Sequence, residues 1–125
     1  MASGTIQKSA SYIVERGTSG NWEYTKYSDG TCDLYYSDAS YSAAYNTTKG
    51  NIYTQASTID ITYPIDVYAP RQADITLYTD SNTYMVWAVQ VRSYQTYVRF
   101  RLACNASIAS NSGVLSIHVT GRWMQ

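Results

Sequence analysis

The chain has 125 residues, with nine Lys and Arg against nine Asp and Glu, and so no formal net charge at pH 7. That balance argues against long-range attraction to nucleic acid or to an anionic membrane, and the length suits a single domain with a modest core. The apolar runs are far too short for a membrane-spanning helix, and no signal-peptide core is expected at the N-terminus.

Fourteen Tyr stand beside a single Phe, with abundant Ser and Thr. Tyr and Thr both favour strands, and Tyr packs as an aromatic while keeping a hydroxyl for water or a partner. Residues 1–10, small, polar and aperiodic, read as an extended N-terminal arm; residues 11–125 read as one β domain. A short strand over 11–15 leads into a turn-rich stretch over 16–21. The next strand, 22–27, sets Trp22, Tyr24 and Lys26 against Glu23, Thr25 and Tyr27. Ser28-Asp29-Gly30 is a hairpin signal, because Gly accepts the positive φ of tight turns. The return strand over 31–37 places Cys32, Leu34 and Tyr36 on one face.

Residues 38–58 are the least regular, with brief extended pieces over 40–46 and 52–55 separated by Thr48-Lys49-Gly50-Asn51. Ile59, Ile61 and Tyr63 alternate with polar residues until Pro64, which cannot donate to a ladder. Pro70 closes another extended piece, and the strand over 73–79 aligns Ala73, Ile75, Leu77 and Thr79. After a turn at Asp80-Ser81-Asn82 comes the most apolar hairpin, 84–92 and 96–104. Its first strand presents Met85, Trp87, Val89 and Val91 as an inward face, its second Val98, Phe100 and Leu102. Residues 105–113 read as polar turn, and the last strand, 114–123, buries Leu115, Ile117 and Val119. Many short strands divided by turn signals predict an all-β fold, an antiparallel β-sandwich of jelly-roll-like type. Trp22 and Trp87 are expected in its core, on opposing sheets.

Chemistry is sparse. His118 is the only histidine, set between Ile117 and Val119 with Ser116 and Thr120 on its own face, and reads as a structural hydrogen-bonder. Asp29, Asp33 and Asp38 lack the spacing of a calcium loop and read as turn formers. Cys32 and Cys104 read by default as two buried free thiols, with a disulfide open only to adjacent strands, and two thiols make no metal cage. Arg92, Arg99 and Arg101 read as ion-pair or carbonyl partners near a subunit boundary. No catalytic residue, metal or cofactor is expected.

Two segments carry a resemblance. Residues 13–30, with Val14-Glu15, Gly17, Gly20, the Trp22, Tyr24 and Lys26 alternation and Gly30, form the first; residues 115–123, ending Ile117-His118 and Gly121-Arg122-Trp123, form the second. In order and spacing they resemble the two ends of C-terminal domains of bacteriophage and prophage tail appendage proteins. Tyr27 stands where a second Trp is usual, and residues 38–81 have no counterpart in the pattern. The resemblance implies a homotrimeric domain at a fibre or tail tip of the virion, joined to the rest of the tail appendage. There it would contact the host surface, as by a glycan or other receptor, or cap the fibre. Alternatives from other classes are a small glycan-active enzyme domain with paired carboxylates and a lectin-like sandwich outside any virus. Apolar residues on both faces of the 84–104 hairpin favour a subunit interface there. For a sugar ligand, loops offering an aromatic platform with polar partners are expected. Two qualify: residues 35–45, with Tyr36, Asp38 and Tyr41, and the turn over residues 80–84, with Asp80, Asn82 and Tyr84.

Overall fold

The computed structural model describes residues 11–79 and 84–125, and each regular element in them is a strand. They are β1 (Ile13–Ser19), β2 (Trp22–Tyr27), β3 (Thr31–Tyr45), β4 (Thr47–Lys49), β5 (Ile52–Thr54), β6 (Ile59–Thr62), β7 (Tyr68–Tyr78), β8 (Val86–Ser93), β9 (Tyr97–Cys104) and β10 (Ile108–Arg122). Two five-stranded antiparallel sheets pack together as a β-sandwich. The first sheet runs β1-β2-β3-β10-β7. In the second, β9 pairs with β8 along one edge and with β5 and β6 in succession along the other, and β4 flanks β5. The pairing is nested, β3 with β10 and then β5 and β6 with β9.

Alternation builds the core. Leu34, Leu115 and Val119 of the first sheet are fully buried, and so are Val98, Phe100 and Leu102 of the second. Trp22 closes one side of this layer, tilted against Tyr36 and edge-on to Tyr63. Cys32 and Cys104 are buried free thiols, one in each sheet. Pro70 lies within β7, an edge strand of its sheet, where a missing N–H costs no ladder bond.

Four readings are corrected. Strand β1 continues through residues 16–19, and its turn is only Gly20-Asn21, with Gly20 at a φ of 59°. Thr18 and Ser19 are exposed on a sheet edge, which leaves no apolar alternation to read. Residues 38–45 are likewise strand, the second half of β3. Between Asp38 and Tyr41 two residues oppose the single residue between Leu115 and Gly113, a bulge that shifts the inward phase from even to odd positions. Cys32, Leu34 and Tyr36 therefore face the core before the bulge, and Tyr41, Ala43 and Tyr45 after it.

Residues 108–113, expected as turn, form the start of β10 and pair with Tyr45, Ala43, Ser42 and Tyr41. Asn111 and Ser112 are held there by pairing with Ala43 and Ser42, which polar composition does not reveal. The last correction concerns β8. Ala88 stands opposite the buried Leu102, and Trp87 opposite Ala103, so Val86 and Ala88 turn inward. Met85, Trp87 and Val91 are exposed, Trp87 at 38%. The opposite face mixes Val86 and Ala88 with Gln90 and Arg92, and hydrophobicity alone selected the wrong one; a one-residue change of phase reverses every side chain.

Candidate functional site

The outward face of the first sheet is assembled by register. Across β2, β3, β10 and β7, one rank reads Glu23, Tyr35, His118, Asp74. The next reads Thr25, Asp33, Thr120, Gln72, and on the other side stand Ser37, Ser116 and Thr76. Because Leu34, Tyr36, Ile117 and Val119 turn inward, the intervening residues must all face solvent.

At the centre of this face, Tyr35 lies flat on His118, with ring centroids 4.3 Å apart and planes 4° from parallel. Tyr35 is 53% exposed, so one side of the stack meets the imidazole while much of the ring remains open. Asp33 fixes the arrangement from below. Its Oδ1 is 3.2 Å from His118 Nε2, and its Oδ2 accepts the Tyr27 hydroxyl at 3.1 Å. Bonding to that carboxylate pushes the Tyr27 hydroxyl pKa up, which keeps it a donor. A shallow depression of about 350 Å³ adjoins the stack, lined by Tyr35, Ser37, Asp74, Thr76, Ser116 and His118. On the far side of Asp33 a second, of about 360 Å³, is bounded by Thr31, Thr120 and Arg122. A flat aromatic pair rimmed by carboxylates and hydroxyls can hold the C–H face of a sugar ring and bond its hydroxyl groups.

Of the residues singled out from sequence, Tyr36 also lines the depression beside the stack, while Asp38, Tyr41 and Tyr84 lie apart from it. Tyr36 is partly buried, its ring centroid 5.1 Å from that of Trp22. Tyr41 also packs on the core; its hydroxyl accepts Gln55 Nε2 at 3.0 Å, and burial pushes its pKa up. Asp38 accepts the Ser40 N–H at 3.1 Å, a local bond at the bulge. Tyr84 packs against the core, and Asp80 and Asn82 lie outside the described residues. Tyr36, Tyr41 and Tyr84 are thus not gathered on one exposed surface. The face that is gathered includes Asp33, Tyr35 and Asp74, and the signal for it was present. Each alternates with residues read as inward. What the sequence lacked was the register that sets Tyr35 against His118.

Among the described residues, no three His, Cys, Asp or Glu side chains converge into a metal-holding group. The two segments of the phage resemblance do meet. Trp123 donates its backbone N–H to Gly30 O at 2.9 Å and its indole N–H to Tyr27 O at 2.8 Å, while Lys26 Nζ sits 5.3 Å from the Trp123 ring centroid. Gly30, at a φ of 92°, lies against the Arg122 guanidinium, where a Cβ would collide with it. These residues form a packing cluster at one end of the first sheet. No family model, curated protein or solved structure matches the chain.

Proposed function

We propose that this chain is a structural and adhesive domain of a phage tail appendage, displayed on the virion and contributing to recognition of a host-surface glycan. The observation that carries the adhesive part is the exposed Tyr35–His118 stack, held by Asp33 and bordered by Asp74, Ser116 and Thr76. The appendage part rests on the two resembling segments, whose Lys26, Gly30, Arg122 and Trp123 pack as one unit. A homotrimer is part of the same reading. Its support is the exposure of Met85, Trp87 and Val91 on or beside β8, apolar surface that a neighbouring subunit would cover.

One observation favours a second reading, a small glycan-active enzyme: His118 and Asp33 form a hydrogen-bonded pair beside a depression. Against it, no Ser or Thr hydroxyl is bonded to His118 among the described residues, and Asp33 is already engaged by Tyr27. Incubating the purified chain with a panel of bacterial cell-surface polysaccharides separates the two. Saturable binding that leaves polymer length unchanged is expected; shortened products would establish the enzyme instead. Light scattering should give about three times the 14.0 kDa chain mass, and a monomer at micromolar concentration would remove the trimer.

A further inference from the structure

The second sheet carries a separate feature on its outward side. Arg101 of β9 stands opposite Val89, and beside this pair lies a depression of about 290 Å³ lined by Lys49, Ile52, Thr54, Val89, Gln90 and Arg101. The ion pairs among the described residues are Lys26–Glu15, Arg99–Asp60 and His118–Asp33, so neither lining cation has an acidic partner there. Arg101 Nε is also shut off from solvent and has no hydrogen-bond acceptor. A guanidinium N–H buried without an acceptor is costly and asks for a missing one.

The backbone beside it is strained. Gln90 has a φ of 55°, a conformation that residues other than Gly rarely adopt. It sits where the β8–β9 register shifts between Arg99 and Arg101, so the bulge re-aims this edge of the depression. Bulges and left-handed residues concentrate at ligand sites. Ile52 and Val89 supply apolar wall, and the buried Thr54 supplies floor.

We propose that this depression binds a carboxylate-bearing group of about monosaccharide size, such as a uronic acid residue. The Arg101 guanidinium would turn its fork to the carboxylate, giving the shut-off Nε–H its acceptor, Lys49 would add a second positive charge, and the apolar walls would take the ring. Arg suits a carboxylate through its planar donors. The volume is at the small end of the roughly 300–1,000 Å³ typical of ligand sites, which limits the occupant to one small group. The site lies on the opposite sheet from Tyr35 and His118 and does not depend on that platform.

Titration of the full chain with sodium glucuronate, followed by nitrogen–proton NMR, tests it. The Arg101 Nε–H signal and the Gln90 and Lys49 amides should move saturably, and glucose or sodium chloride at matched ionic strength should not move them. Lys49→Gln alters an exposed side chain and should leave the fold intact; it should weaken binding roughly two- to fivefold, the loss of one exposed ion pair. Arg101→Gln should abolish it. An unchanged Arg101 signal, equal shifts with glucose or chloride, or undiminished affinity in a folded Lys49→Gln chain would each overturn the proposal. So would an Arg101 signal that follows protein concentration instead of glucuronate, since a second copy would then cover the site.

Discussion

Tyr35 and His118 stand directly opposite one another on β3 and β10, and their rings stack with planes 4° apart. Directly opposed side chains on antiparallel strands are close enough to touch, and aromatic pairs of this kind contribute about 0.5–1.5 kcal/mol beyond their burial. Asp33, two residues before Tyr35 on the same face, reaches the imidazole and fixes its orientation. Three residues with one outward direction thus form a rigid aromatic platform on a sheet instead of a loop.

The two tryptophans of the core reading should now behave differently. Trp22, 6% exposed and packed on Tyr36 and Tyr63, should cost about 3–5 kcal/mol when replaced by Ala. Trp87, on the outward face, should cost about 1 kcal/mol or less in the isolated chain. Urea denaturation of both variants measures this. Equal losses would mean that β8 faces the other way.

Tyr45 offers a stabilising change. Its ring is fully buried, and its hydroxyl has no hydrogen-bond partner among the described residues. Burial strongly raises the pKa of that hydroxyl, the mark of a polar group held away from water. Tyr45→Phe removes the unsatisfied group and keeps the ring, so stability should rise by about 1 kcal/mol. A loss of similar size in thermal denaturation would reveal a partner for the hydroxyl.

Cys32 links stability to alkaline pH. Burial pushes its thiol up to about 11 from an ordinary 9.0. The unfolded chain loses this proton first, so the thiol's contribution is whole below pH 9 and fades as pH rises towards 11. The decline from this group should be on the order of 2 kcal/mol by pH 11. Cys32→Ala should flatten the pH dependence of the urea midpoint between pH 8.5 and 10.5. Parallel curves for the two chains would contradict it. In the native chain at pH 8, both thiols should resist alkylation.

Much of this architecture was legible because local alternation and turn chemistry agreed. The Trp22–Tyr27 strand, the Ser28-Asp29-Gly30 turn, and the inward Leu115, Ile117 and Val119 all appear as the sequence suggests. Two of the failures concern which face of a strand turns inward. At β3 a bulge moved the inward set from Tyr36 to Tyr41, and a break in period was read as a loop. At β8 both faces carry apolar residues, and only pairing with the buried Leu102 decides between them. The outward platform needed long-range knowledge of the same kind, since Tyr35 and His118 are far apart in sequence and meet only through the β3–β10 register.

The loop reading and the sheet-face reading predict opposite outcomes for two tyrosines. Tyr41 packs against the core, so Tyr41→Ala should lower the melting temperature, whereas the exposed Tyr35 can be removed with a loss of only about 1 kcal/mol. The most direct measurement is adsorption of the purified chain to bacterial cells or their isolated surface polysaccharides, wild type beside Tyr35→Ala. Tyr35→Ala should lose binding at least about tenfold, as expected for a central aromatic anchor, with its melting temperature lowered by only a few degrees. Undiminished adsorption by a folded Tyr35→Ala chain would contradict the assignment of this face as the binding surface.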